Sequence, residues 1–411
     1  MNPIFEAVVY PFLFLALFFE VFLILTYFET ESKKRRRIGA TNVFPKISII
    51  VPSYNEAKTL GQTVDSLLKL DYPKEHLDII LVNDGSTDGT AAIADAYTSN
   101  AHVRVLHKEN GGKHTALNAG IAIATGEYVA CLDADSFAST GALREIISHF
   151  DDLQIGAVTA SMSIHRPRAI LERVQQAEYL IGILLRHILS TMNGLHVTPG
   201  PFTVYRRNVF KEIGDFRSAH NTEDMEIALR MQKAGWKIQN APRARVYTKA
   251  PKEFRALLKQ RVRWTTGFIR NSVDYRELFG NPKHGALGMI VLPLGALSIL
   301  ASITLFIFSM VQLGQNTWDF GVTTSSVPLS YTLRLPVFDW FFVPLNSIIV
   351  LGALATIIAI AFVVEGARIS KTRAAVGPAL LWYIPLYGFI APLWLIRAII
   401  DVSFGIHRSW R

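Results

Sequence analysis

Apolar residues concentrate at the two ends of this chain, and the middle alternates between apolar and polar positions. Near the N-terminus, an apolar segment covers residues 8–28 and contains one acidic residue, Glu20. Further apolar segments follow the middle region at residues 287–311, 341–364 and 379–400. Roughly 20 consecutive apolar residues are enough for a helix to cross a bilayer. The pattern therefore predicts a soluble domain between membrane-spanning helices.

Within the middle region, short apolar runs alternate with amphipathic stretches, which predicts strands alternating with helices. The predicted strands are 46–51, 78–82, 103–106 and 128–132, and the helices between them are 59–69, 87–97 and 113–124. This alternation is typical of a parallel α/β sheet, and ligands bind such sheets at the carboxyl ends of the strands. We therefore expect the chemistry of this chain at those ends.

Basic residues beside the apolar segments predict the orientation in the membrane. The basic run at 33–37 directly follows the first segment, and clustered Lys and Arg stay on the cytoplasmic side. The first segment exceeds a signal-peptide core and lacks a basic flank before it. We therefore expect a retained span, a cytoplasmic soluble domain and a place in the inner cell membrane. The last segment contains Pro385 and Pro392 and is either a simple crossing or a broken, re-entrant one.

These patterns divide the chain into five expected regions. They are an N-terminal membrane helix (1–30), a basic cytoplasmic linker (31–45), a catalytic α/β domain (46–250), an interfacial helix region (251–283) and a C-terminal membrane region (284–411).

Composition narrows the possible functions. The formal net charge is +9, but the basic residues do not form one patch on the soluble domain, so we expect no nucleic acid partner. Apolar residues make up 50% of the chain and the mean hydropathy is +0.27, which agrees with membrane spans. The single cysteine, Cys131, cannot form an intramolecular disulfide and lies within an apolar run, which agrees with a reducing compartment.

Polar motifs follow the predicted strands. Asp84 ends the second strand, where its carboxylate suits a ribose or base; the alternative is a capping role. Ser86 or Thr87 is expected to cap the next helix. Lys113 follows two glycines at the start of a predicted helix, a position that suits a diphosphate, although glycine pairs are also common in plain turns.

A second pair of motifs surrounds the same predicted sheet edge. Asp133 and Asp135 follow the fourth strand, and carboxylates completed by phosphate oxygens suit Mg²⁺ or Mn²⁺; the alternative is a turn capped by two aspartates. After the first strand, the loop with Pro52, Tyr54 and Glu56 exposes backbone amides and an aromatic ring to a ligand, or is a plain turn.

Two motifs come later in the chain. Glu223 and Asp224 precede a helical pattern, where they either stabilise the helix N-terminus or supply a general base for a sugar hydroxyl. Gln260, Arg263 and Trp264 lie in the predicted helix 254–269, whose apolar and basic residues suit the membrane surface. The face of an indole ring stacks well on the apolar face of a pyranose.

In this order, the motifs resemble those of processive, membrane-embedded family 2 glycosyltransferases, which include cellulose, hyaluronan and chitin synthases. The resemblance covers the soluble domain to about residue 271 and extends to the flanking spans. The local contexts are most similar to those of bacterial poly-β-1,6-N-acetylglucosamine synthases. These contexts are VPSYNE, VNDGSTDGT, NGGKHTALN, LDADS, NTEDMEIAL and KQRVRWTTG.

The resemblance implies a GT-A fold and a set of donor-binding residues. It places the uridine of a UDP-sugar at Asp84 and the metal, Mg²⁺ or Mn²⁺, at Asp135. The remaining residues expected on the donor side are Pro52, Tyr54, Glu56, Lys113 and Asp133.

The resemblance also implies the catalytic and acceptor residues. Asp224 would be the base, Arg263 would neutralise the leaving UDP, and Gln260 and Trp264 would bind the acceptor. The implied enzyme is inverting, metal-dependent and processive, and it extends a β-linked polysaccharide of N-acetylglucosamine across its own membrane. The alternative is the addition of a single sugar to a lipid carrier or glycolipid. A small accessory membrane subunit is a further expected partner.

Two features depart from the usual pattern of these relatives. The loop at 196–202 has a proline on each side of Gly200, where relatives more often carry a Ser-Gly type stretch. Only one predicted span precedes the soluble domain, whereas several relatives have two.

Overall fold

An eight-stranded sheet forms the centre of the soluble domain in a computed structural model of the chain. The structure describes residues 3–34, 44–326, 347–372 and 376–406. The strands are β1 (Ile47–Ser53), β2 (Leu77–Asp84), β3 (Val103–Lys108), β4 (Tyr128–Cys131), β5 (Ser136–Ala138), β6 (Ile155–Ile164), β7 (Thr203–Arg206) and β8 (Lys237–Thr248).

Helices cover the sheet and extend from it. The first six are α1 (Pro3–Lys34), α2 (Leu60–Leu68), α3 (Thr90–Asp95), α4 (Lys113–Ile123), α5 (Ala142–Ile147) and α6 (Ile170–Thr191). The later ones are α7 (Arg207–Ile213), α8 (Glu223–Lys233), α9 (Phe254–Asp274), α10 (Leu292–Ser326), α11 (Ser347–Ile369) and α12 (Val376–Ser403).

The strand order is β3-β2-β1-β4-β7-β6-β8-β5. The first four strands pair in parallel, as do β6 and β8, whereas β7 and β5 are antiparallel to their neighbours. The predicted mostly parallel α/β sheet with flanking apolar helices is therefore confirmed. Because Pro52 pairs with Val82 in the β1–β2 register, the loop after β1 lies beside Asp84.

The strands pack an apolar layer on each face of the sheet. Side chains alternate along a strand, so Ile49 and Val51 of β1 join one buried cluster while Ile50 joins the other. Burial on both faces explains why these strands appear in the sequence as continuous apolar runs.

The start of α3 differs from the prediction. The helix begins at Thr90, and neither Ser86 nor Thr87 caps it. Instead, the Asp88 carboxylate accepts a hydrogen bond from the Thr90 amide at 2.9 Å. The Thr87 amide is already used, because it donates to the Asn55 side chain at 2.8 Å and ties the β2 loop to the β1 loop.

Four helices of the described residues are long and apolar enough to cross a membrane, namely Val9–Thr30, Leu287–Ser325, Ile349–Ile369 and Val376–Ser403. The last is one continuous helix that contains Pro385 and Pro392, so a break at the prolines is not observed. Residues 35–37 of the predicted basic run, and the start of the third predicted apolar segment at 341–346, lie outside the described residues.

Two helices join the soluble domain to these spans. The amphipathic helix α6 packs Leu184 and Ile188 against Leu17 of α1 and Phe362 of α11. Helix α9 packs against α12 through Val262, which is buried with Trp394 and Ala398. The predicted helix 254–269 is thus present, a little longer, and seated on the last span.

Candidate active site

A cavity of about 820 Å³ opens at the carboxyl ends of β1, β2 and β4 and is bordered by α9 and α12. All of the site residues predicted from the sequence line it. They are Pro52, Tyr54, Glu56, Asp84, Lys113, Asp133, Asp135, Asp224, Gln260, Arg263 and Trp264. Residues that are more than 200 positions apart in the chain, such as Tyr54 and Gln260, therefore share one site.

Asp84 is held rigidly at the end of β2. Its carboxylate accepts hydrogen bonds from the amides of Gly111 and Gly112 at 3.1 and 2.9 Å, and from Lys108 Nζ at 2.6 Å. The side chain is only 4% exposed. Asp84 therefore fixes the glycine loop before α4, and does not cap α3.

Lys113, at the first position of α4, lies between two carboxylates. Its ammonium is 2.8 Å from Asp133 and 2.8 Å from Glu223. Burial lowers the pKa of Lys113, but Asp133, Glu223 and Asp224 outweigh it and raise that pKa well above its ordinary value. The lysine therefore stays charged and connects the Asp133 loop to the start of α8.

Gly200 explains the proline-flanked loop noted in the sequence. A Cβ at this position would lie 2.6 Å from an Asp133 carboxylate oxygen and 2.7 Å from Lys113 Nζ. Those distances are far inside van der Waals contact, so a side chain at position 200 would push the ends of Asp133 and Lys113 away from the loop.

Asp135 is the carboxylate best suited to a cation. Burial and then the charges of Asp133 and Glu56 raise the pKa of Asp135 to about 6, a sign of uncompensated negative charge. Among the described residues, no group of three or more His, Cys, Asp or Glu side chains forms a complete metal cage. The donor set fits Mg²⁺ or Mn²⁺ held by one or two carboxylates and completed by phosphate oxygens.

Glu223 and Asp224 begin α8 and differ in proton affinity. Burial and then the neighbouring Glu223 charge raise the pKa of Asp224 to about 6. For Glu223, burial is outweighed by the contact with Lys113, which holds its pKa below the usual value. Of these two residues, Asp224 is therefore the one whose carboxylate can accept a proton near neutral pH.

A left-handed segment precedes these acids. Ala219, His220 and Asn221 have φ values of 44°, 54° and 62°, an unfavourable conformation for residues other than glycine. It is stabilised from α9, where Arg263 Nη1 donates to the Asn221 carbonyl at 2.9 Å. His220 also contacts Asp274 at 2.8 Å.

Asn271 and Gly267 complete the contact between α9 and this segment. Asn271 Nδ2 donates to Thr222 Oγ1 at 2.8 Å, and the Asn271 side chain is fully buried. A Cβ on Gly267 would lie 2.3 Å from the Thr222 side chain, so α9 approaches as closely as glycine allows. Helix α9 thus positions the residue directly before Glu223 and Asp224.

Trp264 is 36% exposed at the cavity edge. The Arg261 guanidinium lies 4.1 Å from the centre of its ring, and Arg261 pairs with Glu178 of α6 at 2.7 Å. The sequence reasoning missed Arg261. The signal was available, since residues three apart on a helix share a face and Arg261 precedes Trp264 by three positions.

The sequence reasoning also missed residues that the last span contributes. Asp401 and Ile406 line the cavity from the end of α12, together with Arg270 of α9. Arg270 donates to the Ile406 carbonyl at 2.9 Å, and Arg397 is 3.2 Å from Asp401. In the sequence, the signal for this edge of the cavity is Arg397 and Asp401, a charged pair at the end of an apolar helix.

The fold and the site define a membrane glycosyltransferase of GT-A type. The sequence profile described as Glycosyl transferase family 2 matches residues 48–214. Poly-beta-1,6-N-acetyl-D-glucosamine synthase of Staphylococcus epidermidis is 33% identical over 300 residues, which cover 72% of this chain and 69% of the relative. The synthase of Staphylococcus aureus strain COL is 33% identical over 283 residues, 67% of each chain. The chain belongs to glycosyl transferase family 2, which confirms the predicted resemblance.

A solved structure has the same fold. It is the mannosyltransferase PcManGT from Pyrobaculum calidifontis in complex with GDP-Man and Mn²⁺. The two structures superpose with a TM-score of 0.58 at 19% identity, over 96% of this chain and 99% of the other.

Proposed function

We propose that this enzyme is an inverting, metal-dependent, processive glycosyltransferase. It polymerises UDP-N-acetylglucosamine into a β-linked polysaccharide and passes the product across its own membrane. The observation that carries this proposal is that one cavity contains both the buried carboxylates at the sheet end and Trp264 beside the last span. The relatives named as poly-GlcNAc synthases support the choice of sugar.

The donor occupies the sheet end of this cavity. Asp84 and Tyr54 bind the uridine, and the loop residues Pro52 and Glu56 complete the wall on the β1 side. Lys113 and Asp133 face the sugar and diphosphate. The bonds that fix Asp84 to the glycine loop support this assignment, because a rigid carboxylate recognises a nucleoside with little loss of entropy.

Asp135 holds Mg²⁺ or Mn²⁺ with the phosphate oxygens. When bound, the cation neutralises charge on the diphosphate and makes UDP a better leaving group. The raised pKa of Asp135 supports the assignment, since a cation relieves the repulsion among the neighbouring carboxylates.

Asp224 accepts the proton of the attacking acceptor hydroxyl. As that oxygen forms the new bond to the anomeric carbon, the bond from this carbon to the β-phosphate oxygen breaks on the opposite face. The electron pair leaves with UDP, whose charge is met by Arg263, and the configuration inverts. The pKa of Asp224, raised to about 6, suits a base that is ionised at neutral pH and still has appreciable proton affinity.

The acceptor lies along α9, with its terminal sugar between Gln260 and Trp264. Val262 of the same helix packs on Trp394 of α12, so the product leaves the site directly beside a span. In this arrangement residues 46–250 bind the donor, 251–283 guide the acceptor and 284–411 conduct the product. The domain faces the cytoplasm of an inner membrane, where UDP-sugars are available, and a small accessory membrane subunit completes the assembly.

The test uses purified protein in nanodiscs, incubated with a panel of UDP-sugars and either Mg²⁺ or Mn²⁺. UDP release and product length are measured together. Long polymer from UDP-N-acetylglucosamine is the expected result. Stoichiometric UDP release with a single added sugar would replace processive synthesis by the alternative, transfer to a lipid carrier or glycolipid.

A further inference from the structure

A second cavity, of about 460 Å³, shares the lining residue Tyr179 with the cavity described above. Its walls come from the end of β6, the start of α6, β8 and the connection after α11. Thr372 belongs to that connection, which joins two of the helices long enough to cross a membrane. The cavity is therefore built jointly by the catalytic domain and the membrane region.

Arginines dominate the charged lining of this cavity. Of the residues that the structure describes, Arg166, Arg173 and Arg245 line it, and no acidic side chain does. Within the described part of the chain, none of the three forms an ion pair with a carboxylate. Arg173 and Arg245 donate to neutral backbone carbonyls, Arg173 to that of Arg168 at 3.4 Å and Arg245 to that of Lys371 at 3.2 Å.

The two acidic residues of α6 are engaged elsewhere. Glu172 accepts hydrogen bonds from the amides of Arg168 and Ala169, both at 2.8 Å, at the start of α6. Glu178 pairs with Arg261 on the active-site side. The positive charge of the cavity is therefore not compensated by these two acidic residues of α6.

Two buried polar side chains also line this cavity and lack partners. Ser163 and Gln176 are each only 6% exposed, and neither Ser163 Oγ nor Gln176 Oε1 makes a hydrogen bond. A buried polar group without a partner is unfavourable, and such groups usually meet water or a ligand. The Ser163 hydroxyl adds a hydrogen-bond donor to those of the arginines, whereas Gln176 Oε1 is an acceptor that suits a water molecule or a hydroxyl group of the ligand.

We propose that this cavity binds a phosphate group. Guanidinium groups form paired, charge-assisted hydrogen bonds with phosphate oxygens, and the Ser163 hydroxyl can donate to a further oxygen. The phosphate comes either from the headgroup of an anionic lipid, since one wall joins two membrane spans, or from a soluble phosphate compound. Both sources present the same chemistry to the arginines.

Tyr179 gives this cavity a route to the active site. The ring lines both cavities, and Arg261 lies 5.8 Å from its centre and 4.1 Å from that of Trp264. A phosphate group in the second cavity would therefore lie beside Tyr179, which is next to Arg261, and Arg261 in turn packs on Trp264. The phosphate site itself does not depend on the reaction proposed above.

The test compares wild type with the double variant Arg166→Gln, Arg173→Gln. Full-length protein in a maltoside detergent, which has no phosphate, is titrated with inorganic phosphate in the presence of EDTA, and binding is read by ³¹P NMR. Parallel samples in nanodiscs of equal parts phosphatidylcholine and phosphatidylglycerol are analysed by native mass spectrometry for bound phosphatidylglycerol. Arg243→Gln is the matched control, because Arg243 is exposed on β8 and lines neither cavity.

We expect the double variant to bind at least one probe about tenfold more weakly, as lost charge-assisted bonds imply, while Arg243→Gln matches wild type. Weaker phosphate binding alone assigns a soluble compound, and loss of bound phosphatidylglycerol assigns a headgroup. Equal binding by wild type and the double variant in both arms overturns the proposal. If the double variant does not fold, Arg166→Gln alone serves, because that side chain is exposed.

Discussion

At the scale of single residues, the surroundings of Glu223 and Asp224 shift the pKa values of these two adjacent carboxylates in opposite directions. Lys113 keeps Glu223 ionised, and burial beside the resulting charge raises the proton affinity of Asp224. One residue then carries a permanent charge and the other is free to exchange a proton.

Replacing Asp224 by Asn should leave UDP binding nearly unchanged and lower kcat at least about a hundredfold, the usual loss for a general base. The reason is that the amide preserves shape but accepts no proton. UDP release at saturating donor measures the effect, with Asp215→Asn, an exposed acid outside the cavity, as the control. Turnover within a few-fold of wild type would show that Asp224 is not the general base.

The pH dependence follows from the same carboxylate. Its pKa of about 6 means that activity should fall at least tenfold per pH unit below 6, where the base is protonated, and level off above it. Asp135, whose pKa is also raised to about 6, adds to the fall. Glu223→Gln removes a charge that raises the pKa of Asp224, so the acid limb should move to lower pH. A kcat–pH profile of both proteins tests this, and a limb that stays in place contradicts it.

Asp135→Ala should abolish the stimulation by Mg²⁺ or Mn²⁺ and weaken UDP binding in their presence, because the diphosphate loses its bridging cation. Calorimetric titration with UDP, with and without Mn²⁺, measures the effect. Asp151→Ala changes an exposed acid outside the cavity and should behave as wild type. Metal-dependent UDP binding of normal strength in Asp135→Ala would show that Asp135 does not hold the cation.

The sequence predicted which residues meet in the active site more completely than how they interact. Strand ends of a parallel sheet converge, so Asp84, Asp133 and Asp135 could be placed together. The contact of Gly200 with the Lys113–Asp133 pair depends on a loop closing from another part of the chain. No local pattern encodes such a distance.

At the scale of elements, α9 combines two roles. It presents Trp264 to the cavity, and it stabilises the left-handed segment before α8 through Arg263 and Asn271. The apolar and basic pattern predicted the helix and its place at a membrane surface. The long helix α6 and the strands after β4 were not among the predicted elements, although Tyr179 of α6 lines both cavities.

Trp264→Ala should leave UDP binding intact and sharply shorten the polymer, because sugar stacking is lost while the carboxylates are untouched. Product length on gels and the Kd for UDP give the two readouts. Trp318→Ala, on the exposed part of α10, is the matched control. Unchanged polymer length would identify Trp264 as a packing residue or a membrane anchor.

Asn271→Ala should lower kcat while leaving the Kd for UDP unchanged, because Thr222 loses the bond that holds the start of α8. The left-handed residues cost about 1–3 kcal/mol each, so the segment relaxes when a support is removed. Ser272→Ala is the control, since Ser272 Oγ is buried on the same helix without a hydrogen bond. Equal losses of kcat in both variants would indicate general destabilisation.

At the scale of the whole molecule, the four apolar segments predicted from the sequence correspond to the four candidate spans. Their arrangement around the soluble domain was not predictable, because contacts such as Val262 with Trp394 join distant parts of the chain through apolar side chains that resemble any others. Hydropathy identifies the residues of a membrane helix, whereas the fit between side-chain surfaces determines which helices pack together.

The double attachment of α9 has a mechanical consequence. One face of this helix rests on the last span and another supports the start of α8. Any shift of α9 on the last span is therefore transmitted through Asn271 to Thr222, the residue directly before Glu223 and Asp224. In the processive reaction proposed above, this contact would link movement of the span to the position of the base.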